Sequence, residues 1–491
     1  MTDLKKVEEF DIKRRSPFDV GRATPAGLVQ ILQPRKPSQS WMPSRFNART
    51  TDPDGNTILW NTLSGAITVF GPRQKEAINE LLTQEGYHGF LPPLAEYLAQ
   101  RGFLRPSDTD ELEHFRLIFG QQHYRTDRLE LILLSSEDCN LRCTYCYEDF
   151  RRGTMTPEVR QRIKAMVRKK VGIIQHLTVS WFGGEPLYGY DAIEELAPFF
   201  KEISAEAGWT FAGSMTTNGY LLTPAVARQL LDWGVRQFQI TLDGPAEQHD
   251  RNRPARDGSG TFSTIIANLL ALRAMAETFT IRLRVNYDKG NLAYMQDLLA
   301  LLESSFAGDP RYRISFHPVG QWGGANDENL DVCGRDEARE LRAELNAQAF
   351  ARGLDATSIA DNSNPGSSAC YAARPFNLII GAAGQVMKCT IVLDKDPANV
   401  VGSIDEDGTL RLNSQRFAKW VAPAFESDTS CQSCHMLPAC QGISCPLIRF
   451  ESGRSPCDAT PKYALHHELI AAHKVQVRKK RAADLTVGKK S

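Results

Sequence analysis

The sequence has no excess of either charge and no long apolar run. Lys plus Arg and Asp plus Glu both number 58 in 491 residues, so the formal net charge is zero. Such a balance gives no general attraction to a polyanion, and neither nucleic acid nor an anionic membrane is an expected partner. No stretch approaches the roughly 18 apolar residues that mark a membrane span. The opening, "MTDLKKVEEFDIKRRSPFDV", lacks the apolar centre of a secretory signal. A reducing cytoplasmic location is therefore expected. There the eleven cysteines suit metal or redox chemistry better than a disulfide framework. Internal repeats are also missing. What is present is ordinary for a globular chain: 42% hydrophobic and 24% charged residues, over a length that supports two or three domains.

The first 35 residues are polar and irregular and read as a mobile arm. From Ser44, "SRFNARTTDPDGNTILWNTLSGAITVF" reads as short strands joined by an Asp-Gly turn, followed by helices near 73–84 and 92–101. Residues 36–124 are thus expected to form a small α+β, winged-helix-like domain. From Leu129 the pattern alternates. Apolar runs at "LELILLSS", "LTVSWFGG", "AGSMTTNG", "QFQITLDG", "IRLRVNY" and "RISFHPVG" are separated by helical stretches near 157–170, 191–206, 223–233, 262–276 and 292–305. This predicts an α/β fold, a partial (β/α)6 barrel of TIM type over 125–355, ending in a helix near 335–352. Each run ends in polar or glycine residues, and that edge is where such folds place their sites. A linker is expected at 356–368 around "DNSNPGSS", then a cysteine-dense region at 369–460. The rest, 461–491, reads as a helix over 461–478 and a basic tail.

The loop after the first barrel strand, "EDCNLRCTYCYEDF", holds Cys139, Cys143 and Cys146 and lacks a fourth cysteine. A structural zinc site wants four ligands, usually from two C-x-x-C pairs. A 4Fe–4S cluster held by three thiolates instead keeps one iron open for another ligand. A zinc knuckle, or three unrelated buried thiols, is the alternative on spacing alone. A second cysteine field follows: Cys370 and Cys389, then Cys431, Cys434, Cys440 and Cys445 in "CQSCHMLPACQGISC", then Cys457. Two metal centres, or zinc ribbons, fit such spacing in a turn-rich segment. Cys333 reads as a plain thiol and His435 as polar surface.

C-x-x-x-C-x-x-C after the first strand, with an aromatic before the last cysteine, resembles the signature of the radical SAM enzymes. "WFGGEP" resembles that family's GGEP segment, which implies that Gly183, Gly184 and Glu185 receive the amino group of S-adenosylmethionine. Glycines allow close backbone approach, and a carboxylate accepts from an ammonium. "TTNG", "TLDG" and "RVN" are similar to later strand-end contacts to the same ligand, implying Asn218, Thr241, Arg284 and Asn286. "HDRNRPARDGSGTF" is similar to a loop of the peptide- and protein-modifying branch. The second cysteine field resembles the SPASM extension, with four residues rather than three between Cys440 and Cys445. The resemblance implies two auxiliary 4Fe–4S clusters, one on Cys370, Cys389 and Cys445 and one on Cys431, Cys434, Cys440 and Cys457, for three clusters in all. No catalytic acid or base is implied.

The N-terminal segment is similar to the leader-peptide recognition domains of peptide maturases, where an exposed strand edge can take an extended peptide. The family therefore implies a maturase that installs a thioether or carbon–carbon cross-link in a ribosomally made precursor peptide. Its electron donor would be a flavodoxin or ferredoxin. Formylglycine formation in a sulfatase-type protein is the alternative, and a non-catalytic electron-relay or docking module is the third. A packing domain without a ligand is the plainer reading of the N-terminal segment. If it is a separable recognition unit, deleting 44–106 is expected to spare cleavage of S-adenosylmethionine.

Overall fold

A computed structural model of the chain describes residues 40–83, 87–88, 91–356, 365–366, 369–442 and 445–452. The expected arm at 1–35, most of the expected linker, Cys457 and the expected helix at 461–478 lie outside the described residues. The chain divides into two compact units: Met1–Tyr124 with Ser358–Ala373 and Ala422–Ser491, and Arg125–Thr357 with Arg374–Val421. The boundary runs through the second cysteine field. Residues 374–421 belong with the alternating strands and helices, and the described residues from 422 to 452 belong with the N-terminal segment.

The first unit opens with β1 (Ser40–Pro43), β2 (Asn47–Thr51), β3 (Thr57–Asn61) and β4 (Ile67–Phe70), then α1 (Lys75–Thr83), β5 (Tyr87–His88), α2 (Pro93–Gln100), β6 (Leu104–Pro106) and α3 (Glu111–His123). β2, β3 and β4 form an antiparallel meander, and β1 pairs with β5 and β6. The turn between β2 and β3 carries Gly55 at φ 82°, as the Asp-Gly pair requires. Side chains alternate across β3. Leu59 packs with Ile78 and Leu81 of α1 and with Ala95 and Leu98 of α2, while Ile58 and Trp60 turn to the opposite face. The helix α3 was not legible in the sequence. Asp110 caps it by accepting from the amides of Leu112 and Glu113. The buried Glu111 pins its start, accepting from Ser44 Oγ at 2.5 Å and from the Arg45 amide at 2.9 Å.

In the second unit all six apolar runs are strands: β7 (Arg128–Ser136), β8 (His176–Gly183), β9 (Thr210–Thr217), β10 (Val235–Thr241), β11 (Thr280–Tyr287) and β12 (Tyr312–Pro318). Between them lie α4 (Pro157–Arg168), α5 (Tyr190–Glu206), α6 (Pro224–Asp232), α7 (Ala246–Asn252), α8 (Phe262–Arg273) and α9 (Met295–Phe306). Thr156 and Thr223 cap α4 and α6, each followed by a proline in the first turn. After β12 come α10 (Arg335–Ala351) and the short β13 (Asp355–Ala356). The cysteine-dense region then adds β14 (Asn377–Ile380), β15 (Gln385–Met387), β16 (Val400–Ile404), β17 (Leu410–Leu412) and α11 (Ser414–Val421).

The sheet runs β13-β12-β11-β10-β9-β8-β7-β14-β15-β16-β17. It is parallel from β13 to β14 and antiparallel beyond. The six expected strands are therefore the middle of a longer parallel array. β14 was missed because "NLII" is a four-residue run, buried throughout, with no period to read. Leu129, Leu131 and Leu133 of β7 and Leu177, Val179 and Trp181 of β8 are buried. The alternate face is mixed, with Ile132, Leu134 and Phe182 beside polar residues such as Ser180 and Ser214, which lie 2.7 Å apart on neighbouring strands. The remainder of the first unit is α12 (Thr429–Gln432), α13 (Leu437–Cys440) and α14 (Pro446–Ser452). Among the described residues no helix is long and apolar enough to cross a membrane.

Candidate active site

The loop that leaves β7 carries Cys139, Cys143 and Cys146, and the segment after α7 clamps it through backbone bonds. The amides of Arg142 and Thr144 donate to the carbonyls of Pro254 (2.8 Å) and Asn252 (2.9 Å), and the Arg256 amide donates to the Asn140 carbonyl (2.9 Å). Arg256 also reaches the Asp138 carboxylate at 3.1 Å. This clamp is the "NRPAR" part of the quoted 249–262 loop, so that motif holds the cysteine loop in place. From β12 a second loop crosses to it. Asn326 donates to the Thr144 carbonyl at 3.0 Å. The Lys395 ammonium bridges the carbonyls of Tyr147 (2.5 Å) and Gly323 (3.0 Å).

The glycines of "WFGGEP" are explained by this loop. Gly183 has φ 124°, and a Cβ there would meet the Ser136 carbonyl oxygen at 2.1 Å. A Cβ on Gly184 would meet the Asp138 oxygen at 2.5 Å and the Cys139 Cβ at 3.2 Å. The end of β8 thus lies directly against the start of the cysteine loop. Glu185 is fully buried. Its carboxylate accepts from the Leu187 amide (3.0 Å), Thr217 Oγ1 (2.7 Å) and the Asn218 amide (2.7 Å). Burial raises its pKa, and those three bonds oppose the rise. Asn218 in turn donates to Asn140 Oδ1 at 2.8 Å and approaches Cys139 Sγ at 3.8 Å. Glu185 and Asn218 are therefore tied both to the loop and to each other.

Under the loop lies a network the sequence did not reveal. The Tyr145 hydroxyl donates to Asp243 Oδ2 and accepts from Arg253 at 2.6 Å and Asn286 Nδ2 at 3.0 Å. Asp243 is wholly buried; burial raises its pKa, opposed first by the Arg253 charge. Arg284 Nε donates to Asn286 Oδ1 at 2.8 Å, and Thr241 is buried at the end of β10. The Asp243 amide donates to Nδ1 of the buried His249 at 3.4 Å. Burial and the Arg253 charge push His249 down to about 2. His317, which pairs in register with Asn286, is held at about 3 by burial and then by Arg284. Asp243 and Arg253 stand inside motifs read in the sequence, beside Thr241 and within "NRP", but only contact shows their role.

The donor set of the loop fits an iron–sulfur cluster. Burial lifts the Cys139 and Cys146 thiols to about 12 and raises Cys143 as well, so they need a metal's charge to ionise. Among the described residues no set of three or more His, Cys, Asp or Glu side chains closes on the space of one metal ion; a four-iron cluster takes one thiolate per iron. Backbone amides also point at sulfur two residues back: Leu141 to Cys139 (3.3 Å), Ile391 to Cys389 (3.4 Å), Met436 to Cys434 (3.4 Å) and Gly442 to Cys440 (3.4 Å). Hydrogen bonds of this kind to sulfur tune the potential of a cluster. Cys431, Cys434 and Cys440 lie together in the first unit, where the Cys434 amide donates to the Cys431 carbonyl at 3.0 Å. Cys370 and Cys445 belong to the first unit and Cys389 to the second. Cys333 lies half-buried just before α10.

Residues 133–299 match the family model described as the radical SAM superfamily. The radical SAM cyclopropyl synthase TigE of Paramaledivibacter caminithermalis is 25% identical over 197 residues, 35% of this chain and 40% of that protein. A cysteine-type anaerobic sulfatase-maturating enzyme of Clostridium novyi is 24% identical over 335 residues, 63% of this chain and 86% of that one. The matched stretch thus spans less than half of TigE and most of the maturating enzyme. Among solved structures, native anSMEcpe with bound AdoMet and the Cp18Cys peptide superposes with TM-score 0.53 at 17% identity, covering 71% of this chain and 99% of that one; this is a likeness of fold. Residues 133–299 are a radical SAM domain, related in sequence to a cyclopropyl synthase of that superfamily and to anaerobic sulfatase-maturating enzymes.

Proposed function

We propose that the protein is a peptide maturase that cleaves S-adenosylmethionine reductively and installs an intramolecular thioether or carbon–carbon cross-link in a ribosomally made precursor peptide. The observation that carries this reading is the loop of Cys139, Cys143 and Cys146, with no fourth thiol in the loop, clamped at the carboxyl edge of a parallel sheet. These three would hold a 4Fe–4S cluster with one open iron. When bound, that cluster supplies the electron that breaks a C–S bond of S-adenosylmethionine, giving the 5′-deoxyadenosyl radical that takes a hydrogen from the substrate.

The chain's own residues then hold and shield the reactants. Gly183, Gly184, Glu185, Asn218, Thr241, Arg284 and Asn286 are the proposed contacts to S-adenosylmethionine, all at strand ends. The loop after β12, anchored by Asn326 and Lys395, limits access of water and oxygen to the cysteine loop. Cys370, Cys389 and Cys445, and Cys431, Cys434, Cys440 and Cys457, would hold two auxiliary 4Fe–4S clusters that accept the electron left when the new bond forms. A flavodoxin or ferredoxin is the proposed donor. The peptide is proposed to dock by strand addition on an edge of the N-terminal sheets.

The alternative, formylglycine formation, is favoured by the span of the match to the Clostridium novyi enzyme, 86% of its length. One experiment separates the two. The reconstituted, reduced protein is given either a candidate ribosomal precursor peptide or a cysteine-containing sulfatase peptide. A ring lighter by two hydrogens in the first supports the maturase, and an aldehyde in the second supports the alternative.

A further inference from the structure

The segment that carries Cys431, Cys434 and Cys440 has little structure of its own. Its helices α12 and α13 are four residues each, too short to be stable alone. Gln441 after them is left-handed at φ 56°. What the segment does have is a wall. Met436 and Ala439 are buried in one cluster with Ala48, Ile58, Trp60, Ile67 and Val69 of the β2–β4 sheet, and Cys434 packs on that cluster. Leu437 is buried with Phe46, Phe115, Phe119 and Phe425, and Cys431 packs there. Polar ties fix the register: Thr62 Oγ1 donates to the His435 carbonyl and Arg45 to the Gln432 carbonyl, each at 2.5 Å. Both residues of the C-x-x-C pair thus pack on clusters built largely from side chains that precede them by more than 300 positions.

We propose that the N-terminal β2–β4 sheet is the positioning element for the metal centre at Cys431, Cys434 and Cys440, with Trp60 as its central residue. This rests on the reading that those cysteines hold an iron–sulfur centre. The sheet has two faces with separate tasks. The Leu59 face closes the domain's own core against α1 and α2. The Trp60 face supplies the apolar surface on which the cysteine segment folds and which sets the medium around its sulfurs. A peptide bound at the edge of this sheet is then only one strand away from the wall of a redox centre.

The test uses the full-length protein reconstituted anaerobically, with iron content and the electron paramagnetic resonance of the reduced form as readouts. Trp60→Ala should lose about one third of the iron, one cluster of three, together with one signal, while still forming 5′-deoxyadenosine. Trp60→Phe should restore both. Leu59→Ala, equally buried on the other face, should keep the full iron content. Full iron and unchanged signals in Trp60→Ala would overturn the proposal. Equal iron loss in Leu59→Ala and Trp60→Ala would overturn it too, by showing a general folding defect. A Cys431→Ala/Cys434→Ala protein separates the two readings. Wild-type iron there removes the metal centre itself, whereas iron loss there with none in Trp60→Ala removes only the positioning role.

Discussion

Tyr145 joins the cysteine loop to the ends of β10 and β11 and to the segment after α7 through one hydroxyl. Tyr145→Phe keeps the ring but leaves Asp243, Arg253 and Asn286 each short of a partner in a buried place. The expected cost is about 1–3 kcal/mol, read as a lower melting temperature and faster loss of iron from the loop. A variant as stable as the parent would show the network to be dispensable. His249 gives a pH prediction. Its folded pKa, about 2, lies below the ordinary 6.5. The unfolded chain therefore binds the extra proton first, and the stability from this site is complete above pH 6.5 and lost as pH falls toward 2. At pH 5 the loss is about 2 kcal/mol. Melting curves between pH 7 and pH 5 should fall less steeply for His249→Gln than for the parent; parallel slopes would contradict this. At this scale the cysteine loop stands out by its spacing, while its proposed metal rests on the family resemblance. Asp243, Arg253 and His249 do not stand out, since a polar loop residue looks the same whether it is solvated or buried in a network.

At the scale of elements, the end of β8 is tightly constrained backbone. Gly183→Ala drives a Cβ toward the Ser136 oxygen at 2.1 Å in a positive-φ conformation. Strain and overpacking together should cost about 3 kcal/mol and displace the cysteine loop. The expected result is a soluble but unstable protein that does not retain the loop's iron; normal iron retention would contradict the close approach. The six strands and their helices could be read in advance because each strand run is long, apolar and closed by a polar end. β14 to β17 could not. They are three to five residues long, and they exist because β7 offers β14 a paired edge. α3 escaped for a related reason: its buried Phe115, Phe119 and His123 form a narrow stripe among charged residues.

For the whole molecule, the sequence suggested modules in series, while the chain is built by return. Residues 422–442 and 445–452 come back to the N-terminal unit, and residues 374–421 extend the second unit's sheet. Deleting 44–106 was expected from the sequence to spare cleavage of S-adenosylmethionine. The clusters that bury Met436 and Leu437 show that such a deletion also strips the seat of Cys431 and Cys434. The truncation should therefore lose iron and solubility along with peptide binding. A soluble truncation with full iron content would show the modules to be independent after all.

The central claim is that Cys139, Cys143 and Cys146 form the reacting centre. It is tested most directly by assaying 5′-deoxyadenosine from S-adenosylmethionine with the reduced, reconstituted protein and with a variant in which all three cysteines are alanine. The account predicts product from the parent and none from the variant, which should keep roughly two thirds of its iron. Undiminished product from the variant would contradict it.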